Sequence, residues 1–326
     1  MRAAVAERPG PLGAVLAVWE VPGAGSLAPD EVSVRMIAAA VNPSDAVTVS
    51  GAYASRITFP FVPGFEGVGV IERAGPGVPE QMIGRRVLPI GSAGCWAERK
   101  QTPLSWCIPV PEDLPDAAAA GTAYINPLTA WLMVERFCAA GVREVVITAA
   151  TSTIAGHLAQ LLSTRGITPI GLVRGTPGRE VAEPSLWRDV LATSDPAWPD
   201  RLRHVAGGRT DVVLDCVGGA QGALLMEFLA PGGVLVHYGL LSGEPLPRAC
   251  FDGRRGTRVE LFHLRETVHS MPRHELPALF GPVFEHLRAG RLLTPCAQEV
   301  PLSRLPDALR AHRRRPAGKL LVDCRR

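Results

Sequence analysis

Between residues 144 and 238 the chain repeats one alternation, a short apolar run followed by a stretch of helical spacing. The runs are Glu144-Val145-Val146-Ile147-Thr148, Thr168-Pro169-Ile170-Gly171-Leu172-Val173, Asp211-Val212-Val213-Leu214-Asp215 and Val234-Leu235-Val236-His237-Tyr238. After the first, Ile154, Leu158, Leu161 and Leu162 share one face of a helix expected over Ile154–Thr164. Ala220–Leu229 reads as a helix between the last two runs. Strands that are apolar throughout, rather than alternating with polar residues, need cover on both faces. The pattern therefore dictates βαβ units around a parallel sheet.

The flanks read differently. Val32–Val41, closed by Asn42-Pro43, and the runs Val68–Glu72 and Arg86–Ile90 are short β segments bounded by Gly and Pro. Helical texture begins after Asp116, with Ala117–Ala120 and Ala130–Phe137. Past residue 270 come a helix (Leu276–Leu287), a strand (Ala297–Val300), a helix (Leu305–His312) and a strand (Leu320–Val322). We read this tail as returning to the first domain, which makes the parallel-sheet domain an insertion. The 326 residues are enough for two such domains.

A net charge of +3 is too weak to argue for a nucleic-acid partner. Arg313-Arg314-Arg315 reads as a solvated helix end, with an anion-recruiting cluster as the alternative. The seven cysteines are scattered, without a CxxC pair, which suits a reducing cytoplasm rather than a disulfide framework or zinc ribbon. No apolar run reaches the ~18 residues that cross a bilayer, and the N-terminus lacks a signal-peptide core.

The turn after the first apolar run, Thr148 to Gly156, lies where a dinucleotide fingerprint would carry glycines. Here it holds Thr151, Ser152, Thr153 and Ile154 instead. Their hydroxyls suit a pyrophosphate at a helix N-terminus, and an ordinary helix cap explains the same cluster equally well. Arg174 follows the second run. An acidic residue there would accept the ribose hydroxyls of NAD, whereas an Arg favours the 2′-phosphate of NADP.

Seven segments in order resemble the medium-chain dehydrogenase/reductase superfamily, and within it the zinc-independent mitochondrial-type 2-enoyl thioester reductases and quinone oxidoreductases. They are Val41-Asn42-Pro43-Ser44-Asp45 with Ser50-Gly51-Ala52-Tyr53; Pro63-Gly64-Phe65-Glu66-Gly67-Val68-Gly69; Ile125-Asn126-Pro127-Leu128-Thr129-Ala130; Asp215-Cys216-Val217-Gly218-Gly219; Leu229-Ala230-Pro231-Gly232-Gly233; Tyr238-Gly239; and Gly290-Arg291-Leu292. The resemblance implies an α/β chain in which a Rossmann doubly wound parallel sheet (121–267) is inserted into a mostly β, GroES-like catalytic domain (1–120 plus 268–326). It implies Tyr53 as the catalytic tyrosine. Asn126 and Thr129 fall near the nicotinamide end of the cofactor, Asn42 is a further cofactor-binding position, Thr151 to Ile154 fall on the pyrophosphate turn and Arg174 on the 2′-phosphate. Tyr238, Gly239 and Leu241, and Phe262, His263 and Leu264, fall on two further cofactor-lining strands. Lys319 falls on a lysine that reaches the cofactor. A homodimer built on the cofactor domain is also implied.

Three positions depart from the family pattern. The turn has Thr153 and Ala155 in place of a Gly pair, Gly175-Thr176 replace an arginine after Arg174, and His263 replaces a tryptophan. The positions of the family's catalytic zinc ligands hold Asn42 and Phe65, which cannot ligate the metal there. The expected chemistry is hydride transfer from NADPH to an enoyl or enone substrate, with a Tyr hydroxyl as proton donor. Quinone reduction, or NADPH binding without catalysis, are the alternatives.

Overall fold

Gly- and Pro-bounded short strands build the first of two units, Met1–Leu128 with Glu266–Arg326; the second is Thr129–Arg265. The computed structural model describes residues 1–23, 25–52, 57–114, 121–175, 181–311 and 318–326. Tyr53, the helix expected over Ala117–Ala120 and the Arg313–Arg315 run lie outside the described residues.

In the first unit β1 (Arg2–Ala6) and β2 (Leu16–Glu20) pair antiparallel around the turn α1 (Leu12–Val15). Next come β3 (Glu31–Ala40), the short helix α2 (Pro43–Val47), β4 (Gly67–Ala74), β5 (Arg86–Pro89), β6 (Arg99–Pro103) and β7 (Cys107–Pro109). β3 and β4 run antiparallel with Ala39 opposite Gly67. Met36, Ile71, Val87 and Trp96 are fully buried between the strands, each burial being worth about 1.5–3 kcal/mol. Gly64 has φ +92° and touches Trp96 so closely that an added Cβ would lie 2.5 Å from the indole. Only glycine fits there, and it seats Phe65 and Glu66 immediately before β4.

Helix α3 (Ile125–Phe137) carries the chain into the second unit. There follow β8 (Val145–Ile147), α4 (Thr153–Ser163), β9 (Ile170–Val173), β10 (Asp189–Ala192), α5 (Trp198–Val205), β11 (Thr210–Asp215), α6 (Gly219–Leu225), β12 (Leu229–His237) and β13 (Arg258–Leu261). The six strands are all parallel, in the order β10-β9-β8-β11-β12-β13. This is the doubly wound order, whose two halves meet between β8 and β11. Val146, Leu172, Val213 and Leu235 are fully buried, as strands covered on both faces must be.

The tail re-enters the first unit through α7 (Leu264–Ser270) and α8 (Leu276–Arg288). β14 (Cys296–Pro301), α9 (Leu305–Ala311) and β15 (Lys319–Asp323) complete it. Its sheet has the order β14-β15-β3-β4-β5-β7, with β6 also on β3. Among the described residues, no helix is long and apolar enough to cross a membrane.

Candidate functional site

In a parallel sheet every strand ends at the same edge, and in a doubly wound sheet the crevice lies at that edge beside the switch point. The second unit gathers most of its expected site residues there. Beyond β8, Ala149 adopts φ +51°, a conformation that costs a non-glycine residue about 1–2 kcal/mol. Thr151, Ser152, Thr153 and Ile154 follow, all half-buried. Ser152 caps α4, its Oγ accepting from the Ala155 N–H at 3.3 Å. A hydroxyl that accepts through a lone pair keeps its hydrogen to donate, so the cap and the phosphate roles are compatible. The open first turn of α4 presents further N–H groups and the positive end of the helix dipole.

Arg174 stands exposed one residue past β9 and forms no ion pair among the described residues. Tyr238, Gly239 and Leu241 lie past the end of β12 at His237, not within a strand. The Tyr238 N–H donates to the Asp215 carbonyl at 2.9 Å and the Leu241 N–H to the Cys216 carbonyl at 2.9 Å. Gly239 packs so tightly that a Cβ would meet that of Cys216 at 3.0 Å. Phe262, His263 and Leu264 likewise lie beyond the strand, since β13 stops at Leu261. The Phe262 N–H donates to the His237 carbonyl at 3.0 Å, His263 is exposed, and Leu264 begins α7. The strand expected at both places is thus a pair of turns, because each chain must leave the sheet at its C-terminal edge.

The group that holds this edge together was quoted in the sequence only as part of a segment, without a role. The buried Asp215 carboxylate accepts from Thr148 Oγ1 at 2.9 Å and from the Val217 and Gly218 N–H groups at 3.0 Å each, and faces His237 Nδ1 at 2.9 Å. It joins the ends of β8, β11 and β12. Its sequence signal was an acid ending an apolar run and opening the segment Asp215 to Gly219.

The first unit holds a second polar cluster. Asn42 is fully buried; its Nδ2 donates to Glu66 Oε2 at 2.8 Å, and its Oδ1 accepts from Lys319 Nζ. Lys319 also donates to the Val41 carbonyl at 3.5 Å and is only 4% exposed. Glu66 Oε1 accepts from the N–H groups of Tyr124 at 3.0 Å and Ile125 at 2.6 Å, at the N-terminus of α3. Asn126, in the first turn of α3, is buried, as is Thr129, one turn on in the same helix, where the second unit begins. The buried Asp45 accepts from the Asn42 N–H at 2.8 Å and the Phe65 N–H at 3.2 Å. Burial pushes its carboxyl up to about 7 against the pull of those two bonds. Glu66 and Asp45 were quoted in the sequence only as parts of motifs, since a single acid among glycines or prolines gives no hint of burial.

Comparison with known proteins covers nearly the whole chain. Residues 28–115 match the alcohol dehydrogenase GroES-like domain and residues 190–322 the zinc-binding dehydrogenase domain. The mitochondrial enoyl-[acyl-carrier-protein] reductase of Bos taurus is 30% identical over 293 residues, spanning 86% of this chain and 77% of the relative. The same enzyme of Xenopus tropicalis is 28% identical over 298 residues, 86% of this chain and 83% of the relative. A solved structure from Bacillus thuringiensis, provisionally described as an NADPH:quinone reductase, superposes with a TM-score of 0.90 at 28% identity, covering 99% of this chain and 98% of the other. A 2-haloacrylate reductase superposes with a TM-score of 0.83 at 26% identity, covering 99% of each chain. With Asn42 and Phe65 at the zinc-ligand positions, this chain belongs to the zinc-independent branch of the medium-chain dehydrogenase/reductase superfamily.

Proposed function

We propose that this chain is an NADPH-dependent reductase that adds hydride to the C=C bond of an α,β-unsaturated carbonyl, with enoyl thioesters as its substrate class. The observation that carries the cofactor choice is Arg174, exposed at the end of β9 with no carboxylate paired to it among the described residues. A guanidinium there grips a 2′-phosphate through charge-assisted bonds. Thr151, Ser152 and Thr153 and the first turn of α4 would take the pyrophosphate. Tyr238, Gly239, Leu241, Phe262, His263 and Leu264 would line the cofactor, and Asn42, Asn126 and Thr129 would serve its nicotinamide end, with Lys319 behind Asn42. The thioester reading is supported by the enoyl reductase relatives; 2-haloacrylate is also an activated alkene.

Bound NADPH supplies a hydride for the β-carbon. The chain must then position the substrate and protonate the α-carbon. We assign that proton to Tyr53, eleven residues after Asn42 in the sequence, whose hydroxyl is neutral at pH 7 and able to donate. Quinone reduction is the second reading, favoured by the likeness to the Bacillus thuringiensis structure. The proposal includes a cytoplasmic location, suited to seven cysteines that are all free thiols.

The test is NADPH oxidation with a crotonyl thioester, with a simple quinone and without acceptor, on the parent and on Tyr53→Phe. Thioester turnover that falls ~10²–10⁴-fold in the variant, with quinone turnover little changed, supports the assignment. Quinone turnover alone supports the second reading, and NADPH binding without turnover supports a non-catalytic binding protein.

A further inference from the structure

Three neighbouring strands of the first unit deliver three polar side chains to one end of their sheet. β15 pairs antiparallel with β3, Leu321 opposite Ala40, and β3 pairs antiparallel with β4, Ala39 opposite Gly67. The start of β15, the residues just past β3 and the residue just before β4 therefore lie side by side. They are Lys319, Asn42 and Glu66, and all three are buried.

The order of donors and acceptors through this row has one solution. Lys319 carries only donors, and the Tyr124 and Ile125 N–H groups at the other end are also only donors. Between them, Asn42 Oδ1 must face the ammonium, its Nδ2 must face Glu66 Oε2, and Glu66 Oε1 must face the helix. A flipped Asn42 amide would set Nδ2 against the ammonium and Oδ1 against a carboxylate, two repulsive contacts between buried groups. Asp45 fixes the backbone on both sides, holding the N–H of Asn42 and that of Phe65, the residue before Glu66.

We infer that Glu66 and Lys319 are positioning residues that lock the Asn42 carboxamide in one orientation and tie it to the first turn of α3, where Asn126 stands. The inference rests on the proposed function, in which Asn42 and Asn126 serve the nicotinamide end of the cofactor. Glu66 acts through Asn42, by holding Nδ2; Lys319 acts through it from the opposite side, by holding Oδ1.

The test is a binding cycle with the cofactor alone, read as NADPH and NADH dissociation constants by fluorescence titration, alongside thermal melts of the cofactor-free proteins. The variants are Glu66→Gln, Asn42→Ala and the two together. Glu66→Gln keeps shape and volume but places an amide N–H where the row needs an acceptor. The inference expects Glu66→Gln to weaken NADPH and NADH binding by the same factor, about tenfold, leaving the preference for the 2′-phosphate unchanged. It expects the double variant to bind no more weakly than Asn42→Ala alone. Lys319→Met carries the same cycle if Glu66→Gln does not fold. Unaltered binding in a folded Glu66→Gln variant, or losses that simply multiply in the double variant, would overturn the inference. A parent protein that binds no NADPH would instead overturn the proposed function.

Discussion

Arg174 stands exposed at the edge of a sheet with no ion pair among the described residues, and its value lies in what it can reach. A charged hydrogen bond contributes about 1.5–3 kcal/mol. Arg174→Ala should therefore weaken NADPH binding roughly ten- to 150-fold and leave NADH binding nearly unchanged, as titration of each cofactor would show. Asp45 makes a different residue-scale prediction. Its carboxyl is raised by burial from the ordinary 3.8 to about 7, so the folded protein holds a proton that the unfolded chain gives up near pH 4. The native state is thus favoured at low pH, and that advantage is lost as pH rises from about 4 through about 7. Asp45→Asn cannot ionise. Its melting temperature relative to the parent should rise between about pH 5 and about pH 8, and a gap that stays constant across that range would contradict the buried, titrating carboxyl.

At the scale of elements, the Ser152 cap on α4 links stability to binding. Ser152→Ala should cost about 1 kcal/mol of stability through the lost cap, read in thermal melts, and should also weaken NADPH binding. Loss of stability alone would make Ser152 a cap and nothing more. The apolar strands β8, β9, β11 and β12 were legible because burial on both faces leaves no polar alternation to confuse them. β10 was not: Asp189-Val190-Leu191-Ala192 is four residues long and only Leu191 and Ala192 are buried. α5 was hidden by Pro199 and the charged Asp200, Arg201 and Arg203, since only Trp198 and Leu202 face inward. Tyr238 read as strand because apolar character continues past the point where pairing stops, whereas Phe262 to Leu264 were placed on a strand by the family resemblance alone. The proposed cofactor edge was marked in the sequence by the hydroxyl-rich turn after β8 and by Arg174 after β9. The Lys319–Asn42–Glu66 row was not, because it joins residues up to 277 apart in sequence, and only the register of β15, β3 and β4 brings them together.

At the scale of the whole molecule, the family assignment and the sheet topology meet in one chemical claim and one structural one. For the assembly we propose a homodimer. β13 pairs with β12 at the end of its sheet, and Leu261 is 52% exposed, so a second copy can extend the sheet across a two-fold axis. Light scattering at micromolar concentration should return twice the 34.7 kDa chain mass; a monomer would contradict it. The chemical claim is hydride delivery to an activated alkene, and isotopic labelling tests it most directly. The protein would be incubated with a crotonyl thioester and NADPH carrying deuterium at both C4 positions of the nicotinamide, and the product read by mass spectrometry and NMR. Hydride delivery to the β-carbon gives a butyryl thioester with one deuterium there and a solvent-derived proton on the α-carbon. A thioester recovered unchanged while the same NADPH reduces a quinone would contradict it.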